Sequence, residues 1–564
     1  MNEADSSSNE RFGQSLPARI GWGALIVVTL AVCYFSNLGA IGFVGPDEPR
    51  YAWIARDMAE SGDWVTPRLY GKPWFEKPVL YYWMAAASFK VFGVSETAAR
   101  LPSALCALFA TLALAWLAWR VYGGETARWL LLLLPTSVGM IGFSHAAATD
   151  MPFSGMLTIA MVCAAVALGI VRDENTPVLP RTPWIALILF GFFLGLAVLA
   201  KGPAAIILSG GAVFFWALST KRWRDALRLL HPIAIVSFCA TALPWYILCA
   251  RRNPDFFRVF IVEHNFKRYL TPEFQHIQPF WYYVVVLSIE LLPWSLIASA
   301  VLIGWLFART KLNSDSTAVF LICWALFCVV FFSISKSKLP GYVLPALPAV
   351  VFLVAKVITS ATRISQRVGI AGATTGGAIF ALVSLLPILT SSPNNSLVLL
   401  PYIGILMAAF GLANLLIALR LMKSWSPIVR ACLTFLAIAP ILGLFAGVDL
   451  VVQNYWFLAN SYRGVAANLV GRGIPADRLR TFGLDRSTQY ALNFYLHAEI
   501  KDWKQDRVED GYVLANRKYC VQLDTKLNCE DLWGRVDFGD GAWALLRVTP
   551  VSSAPGPAGS GQPH

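Results

Sequence analysis

The chain has 564 residues, 57% of them hydrophobic and only 14% charged, with a net charge of +13. A soluble protein carries roughly 25% charged residues, so the composition excludes an ordinary soluble protein and points to a chain that crosses a membrane many times. The positive excess suits cytoplasmic loops or anionic lipid and phosphate; no zinc-ligand spacing and no basic helix fit for a groove argue for nucleic acid.

In chain order, Arg11 and Arg19 precede an apolar run from Ile20 to about Val44. That run is too long for a secretory h-region and long enough to cross a bilayer, so it reads as an uncleaved first span with a cytoplasmic N-tail. GPDEPRYAWIARDM (residues 45–58) follows at once, setting Asp47, Glu48, Arg50, Arg56 and Asp57 against Tyr51, Trp53 and Ile54. It predicts an interfacial helix from Glu48 to Glu60, closed by Ser61-Gly62. KPWFEKP (72–78) holds Glu76 and Lys77 between two prolines, which keep the segment extended and stiff. VLYYWMAAASFKVFGV (79–94) is short and carries Lys90, and reads as a helix lying in the interface rather than a span.

Further spans are expected near 99–119, 128–147, 152–171, 183–200, 203–219, 229–250, 280–308, 316–334, 343–358, 368–390, 396–419 and 428–450, about thirteen with the first. Each approaches the ~20 residues a bilayer needs. This count leaves the basic stretches KRWRDALR (221–228) and RISQR (363–367) inside. It puts Asp47 and Asp150 together on the external face. The external loop 45–98 is rich in charges and rings, while 251–279 and 335–342 are basic against the usual bias, and anionic ligands are the simplest reason for such loops. Arg251, Arg252, Arg258, Lys267, Arg268, Lys336 and Lys338 make up that positive field.

From residue 452 the composition becomes that of a small globular domain of mixed helices and strands, ending near 551. The Pro/Gly/Ser-rich end, 552–564, reads as a disordered tail. Eight cysteines lie in apolar runs. Cys520 and Cys529 lie in the polar domain, as a disulfide if its compartment is oxidising and otherwise as free thiols.

Asp47 and Asp150 each precede a proline by two residues at the start of a helical run, and helix capping alone accounts for either. Capping does not account for two such carboxylates facing outward beside cations. Lys77 suits an oxyanion as a point charge. His264 and His276, with Glu263 and Glu273, match no standard zinc spacing, and a divalent metal held with Glu76 competes with simple hydrogen bonding. No Gly-rich nucleotide loop occurs, so no nucleotide is expected.

The string GPDEPRYAWIARDMAESGDWVTPRLYGKPWFEKP resembles the first periplasmic loop of the bacterial aminoarabinose transferases of lipid A. These are membrane glycosyltransferases of the C-type fold, related to protein O-mannosyltransferases. The resemblance implies an all-α polytopic domain over 1–451 and a small α/β periplasmic domain over 452–551, in the bacterial inner membrane and monomeric. It implies a donor of 4-amino-4-deoxy-L-arabinose on undecaprenyl phosphate, a lipid A phosphate as acceptor, and resistance to cationic antimicrobial peptides. Asp47 becomes the principal catalytic carboxylate, orienting the attack or binding the donor amine, with Asp150 its partner. Arg50, Tyr51, Lys77, Arg268, Lys338 and Tyr342 become donor and phosphate ligands. Glu76 and His264 become ligands for a divalent metal such as zinc.

Overall fold

Proline and glycine decide where the apolar runs of this chain break, and the breaks shape the membrane domain. The computed structural model describes residues 16–171, 183–267, 277–295, 297–299, 315–360, 399–420, 427–455, 462–508, 510–516, 527–532, 536–538 and 541–550. The chain divides into two units: Met1–Leu38 with Ile54–Asp449, and Gly39–Trp53 with Leu450–His564. The start of the first long loop thus groups with the C-terminal residues.

The first unit is helical. Among the described residues six helices are long and apolar enough to cross a membrane: Glu96–Tyr122, Asp150–Ala167, Trp184–Lys201, Pro232–Arg252, Ser316–Ile334 and Val429–Ala446. Gly124–Leu133 and Val138–Ser144 add a seventh as a pair, and Ile20–Phe35, Ala204–Thr220, Leu344–Thr359 and Ile405–Ile417 are shorter apolar helices. The protein is a multi-pass membrane protein. Side chains fix several starts: Ser95 accepts from Ala98 N (3.2 Å) and Asp315 from Ala318 N (2.9 Å).

Four expected spans come out differently. The first, expected over 20–43, is the helix Leu16–Phe35, followed by turns and loop. The span at 128–147 is broken, its halves bent by 62°. Pro135 cannot donate to the helical ladder, and Thr136 and Ser137 return their hydroxyls to the carbonyls of Leu132 and Leu133. The span at 280–308 begins as Tyr282–Glu290 and its helix stops three residues before Pro293; residues 300–314 lie outside the described ones. The span at 343–358 is entered through two 3₁₀ turns, Pro340–Tyr342 and Leu344–Ala346, before the helix Leu347–Ser360, because prolines recur at 340, 345 and 348. The span at 368–390 and the tail 552–564 also lie outside the described residues.

The helix Leu80–Phe92 has 13 residues. At 1.5 Å per residue it reaches ~20 Å, short of the ~30 Å hydrocarbon core. Before it, β1 (Arg68–Leu69) and β2 (Lys72–Pro73) form a hairpin with Arg68 opposite Pro73. Its two turn residues, Tyr70 and Gly71, have φ of 52° and 75°, the left-handed pair that a type I′ turn requires.

In the second unit a six-stranded sheet runs β4 (Lys501–Asp502), β3 (Leu479–Phe482), β5 (Gly511–Asn516), β8 (Gly541–Pro550), β6 (Leu527–Asp531), with β7 (Val536–Phe538) also on β8. β3 is parallel to β4 and β5, and β8 antiparallel to its neighbours. Alternation sorts the side chains. Leu514 and Leu545 pack with Val465, Leu469 and Leu492 from the helices Tyr462–Gly471 and Arg486–Leu496. Val513, Ala515, Ala544, Leu546 and Val548 form a second cluster with Trp503.

Candidate active site

The helix Asp47–Ser61 starts one residue earlier than its sequence suggests. Glu48 ties its first turn to the incoming chain, accepting from Val44 N at 2.8 Å. Asp47 is the first residue of that helix. Its carboxylate meets Arg50 Nη2 at 2.5 Å, one turn on; Asp47 is half-exposed (51%) and Arg50 buried (5%). The guanidinium is held from beneath: it lies 5.2 Å from the ring centroid of buried Tyr51 and 5.7 Å from that of Tyr490. Such contacts orient a guanidinium as well as attract it. The segment feeding Asp47 is fixed by the C-terminal residues of its own unit. Phe43 N donates to the Tyr495 hydroxyl (2.9 Å), and Arg463 donates to the carbonyls of Gly39 and Ala40 (3.1 and 3.3 Å). The arrangement presents a carboxylate to solvent on a rigid cationic base.

In the first unit, Asp150 opens the helix Asp150–Ala167 and takes a buried partner. Lys201 Nζ, from the last residue of Trp184–Lys201, lies 2.5 Å from Asp150 Oδ1. The same ammonium lies 4.7 Å from the Tyr342 ring centroid and 5.6 Å from that of Phe153. Only glycine fits at 341. A Cβ there would lie 2.8 Å from both Asp150 Cγ and Phe143 Cε1, so the backbone of the loop carrying Lys338 and Tyr342 seats directly on this carboxylate. Asp150 and Tyr342, both singled out from sequence, are thus together. The cation joining them, Lys201, was not, because KGP at 201–203 reads as a turn between two spans. A lone lysine closing an apolar helix was the available signal.

Of the seven cations of the expected positive field, Arg252, Arg258 and Lys338 have described partners. Arg252 pairs with Asp63 (3.0 Å), and Arg258 with Asp255 (3.1 Å) and Glu263 (2.8 Å). Lys338 is turned inward, donating to Gln278 O (3.0 Å) and Ser335 O (2.7 Å), and burial together with Lys336 lowers its pKa. Asp63 gathers Arg252, Arg68 and the backbone N–H groups of Val65 and Thr66. Burial opposes its ionisation, but those four donors outweigh it and hold the carboxyl below its usual range. Glu76, with Trp74 and Phe75, lines a cleft of about 550 Å³ shared with Arg252, Asn253 and Arg258. Lys77 is half-buried beside it.

Among the described residues no group of three His, Cys, Asp or Glu side chains could hold a metal. The His264 side chain and Arg268 lie outside the described residues, as do Cys520 and the Cys529 side chain. The other eight cysteines are free thiols.

The fold and these clusters can be set beside known proteins. Residues 22–260 match the family model described as dolichyl-phosphate-mannose-protein mannosyltransferase. The structure superposes on ArnT from Cupriavidus metallidurans, solved bound to undecaprenyl phosphate, with a TM-score of 0.75 at 23% identity, covering 95% of this chain and 99% of that one. The fold is therefore that of this class of polytopic membrane transferase. The undecaprenyl phosphate-alpha-4-amino-4-deoxy-L-arabinose arabinosyl transferase of Pseudomonas aeruginosa (strain LESB58) is 30% identical over 523 residues, covering 87% of this chain and 91% of that protein. The relative of the same name from Enterobacter sp. (strain 638) is 31% identical over 345 residues, and the match spans 60% of its length. The chain belongs to the family of undecaprenyl phosphate-aminoarabinose arabinosyl transferases.

Proposed function

We propose that this protein transfers 4-amino-4-deoxy-L-arabinose from undecaprenyl phosphate to phosphate groups of lipid A at the periplasmic face of the bacterial inner membrane. The observation that carries this reading is the 30% identity to an arabinosyl transferase across 87% of the chain. The two aspartate–cation pairs supply chemistry consistent with it.

The bond to be broken joins an anomeric carbon to a phosphate, and its transition state has oxocarbenium character. The leaving phosphate gains charge as it departs, so an ammonium such as Lys77 stabilises that step electrostatically. A lipid A phosphate has a second pKa of about 6 and is largely ionised at neutral pH, so a strong general base is not required. Asp47, rigid on Arg50 and open to solvent, orients the attack. Asp150, with Lys201 and Tyr342, holds the sugar side of the donor. Glu76 and His264 would be the ligands of a divalent metal; a chelator titration of transfer activity tests that separately, and no step above depends on it.

Mass spectrometry of lipid A from cells with and without the protein tests the reading. Each modified phosphate should gain one aminoarabinose residue, and Asp47→Ala should abolish the gain; unmodified lipid A in wild-type cells would refute it. Modification masks phosphate charge, so such cells should bind cationic peptides less. The match of residues 22–260 to the mannosyltransferase model favours one rival, transfer of a sugar to protein. Labelled sugar recovered in protein and not in lipid A would establish that rival.

A further inference from the structure

Three guanidinium groups meet at one end of the first unit, and none of them serves the chemistry above. Arg420 closes the helix Leu399–Arg420, Arg430 lies in the first turn of Pro427–Tyr455, and Arg128 lies in Gly124–Leu133. Arg430 and Arg128 are both close enough to repel Arg420. The carboxylate that attracts it, Glu125, is 3.3 Å from Arg420 Nη2 and itself 55% exposed. Arg430 stands where its own helix dipole disfavours a cation. Among the described residues its guanidinium makes no hydrogen bond and no ion pair. Arginine keeps its charge at any physiological pH, so the repulsion cannot be relieved by giving up a proton.

The cluster is held in place and can be reached. The Arg420 guanidinium lies 4.4 Å from the Trp129 ring centroid, and that of Arg128 lies 5.6 Å from the Trp22 ring centroid and donates to Gly124 O at 3.3 Å. Rings at these distances orient guanidinium groups. Of the Arg430 nitrogens, Nε alone is both buried and without an acceptor, so the two terminal nitrogens come to the surface. Ile20 and Val429, chain neighbours of the cluster, expose apolar surface beside it (63% and 36%).

The level in the membrane follows from one helix. Ser103 Oγ donates to Ala146 O at 2.7 Å, so the early part of Glu96–Tyr122 lies beside the turn that leads into Asp150. From Ser103 to Tyr122 that helix rises roughly 30 Å, the thickness of the hydrocarbon core. Gly124–Leu133 begins at its far end. The cluster therefore sits across the bilayer from Asp150, at headgroup depth.

We propose that Arg128, Arg420 and Arg430 bind the phosphodiester headgroup of an anionic phospholipid. With Asp150 on the periplasmic side, as proposed above, that lipid belongs to the cytoplasmic leaflet. Guanidinium forks give charge-assisted hydrogen bonds to phosphate oxygens, basic pockets between membrane helices suit such headgroups, and the exposed apolar side chains meet the acyl chains. The site is separate from the sugar-transfer chemistry and does not depend on which sugar is moved.

The test titrates the full-length protein in neutral detergent with phosphatidylglycerol or phosphatidylcholine and counts bound lipid by native mass spectrometry. The wild type should bind its first phosphatidylglycerol at least about fivefold tighter than phosphatidylcholine. Arg430→Gln and Arg128→Gln should each weaken phosphatidylglycerol binding about fivefold; should one of them fail to fold, the other decides. Arg224→Gln removes an equal charge from an exposed basic stretch that the span count puts on the same side, and should change binding less than about twofold. Inorganic phosphate in millimolar excess should not displace the lipid. No preference in the wild type, or full binding in Arg430→Gln and Arg128→Gln, overturns the proposal. An equal loss in Arg224→Gln would mean that net charge alone attracts the lipid, and displacement by phosphate would make this a site for free anions; either result also overturns it.

Discussion

The two aspartates arrive with the same local cue, Asp-x-Pro opening a helix, and end in opposite circumstances. Asp47 is half-exposed and finds its cation three residues along its own helix. Asp150 is mostly buried (22% exposed), and its cation comes from another helix, 51 residues away in sequence. A pair made within one turn is nearly assembled once the helix forms. A pair made between helices exists only when the bundle is packed, and so ties local chemistry to global stability. Losing Asp47 should therefore cost activity more than stability, and losing a partner of Asp150 should cost both.

The sharpest way to break this contrast is Asp47→Asn. Transfer should fall on the order of 10²–10³-fold, with thermal unfolding unchanged; a variant that transfers normally removes Asp47 from the mechanism. Next is Lys201→Met, which leaves a buried carboxylate without its cation. It should destabilise the protein by about 3–5 kcal/mol in denaturation of the membrane-embedded protein, and a second substitution, Asp150→Asn, should recover much of that loss. Equal unfolding of the single and double variants would mean the pair carries no stability.

Gly341→Ala should cost about 1–3 kcal/mol, because its methyl enters space held by Asp150 and Phe143; unchanged melting would show the loop can lift off. Tyr490→Leu removes one of the rings beside Arg50 and should slow transfer by roughly fivefold, as a cation–π contact of about 1 kcal/mol implies, with Tyr490→Phe near wild type. If Phe and Leu behave alike, the ring does not position Arg50. The smallest effect is at Asp63. Its folded pKa lies below the unfolded value of about 3.9. The stability it confers is thus complete above about pH 4 and is lost as pH falls through the folded value. Asp63→Asn should lower stability at neutral pH by up to ~1 kcal/mol and flatten that acid decline.

Features set by nearby residues were legible in the sequence; those set by packing were not. The interfacial helix, the short helix Leu80–Phe92 and the C-terminal strands follow from runs of a dozen residues with clear periodicity and clear stops. The candidate residues Asp47, Arg50, Asp150 and Tyr342 came from composition and motif resemblance, and each now has a described setting. Lys201 and Tyr490 were missed because their meaning lies in partners far along the chain. Lys338 was singled out for its place in a basic loop, and the structure adds that its ammonium donates to two backbone carbonyls. Net charge counts lysines; it does not say which are committed. The kink at 134–137 was signalled by Pro135, but a mostly apolar stretch outweighed one proline in a reading based on hydropathy.

The union of residues 39–53 with the end of the chain has a temporal consequence. Phe43 waits for Tyr495, 452 residues later. At ribosomal speeds of 5–20 residues per second that is roughly 20–90 s, during which the segment bearing Asp47 has been made and the strands and helices that secure it have not. A polypeptide cut short anywhere before the final sheet could still insert its helices, yet would leave its foremost carboxylate on an untethered thread. Translation of the last hundred residues is therefore the event that arms the enzyme.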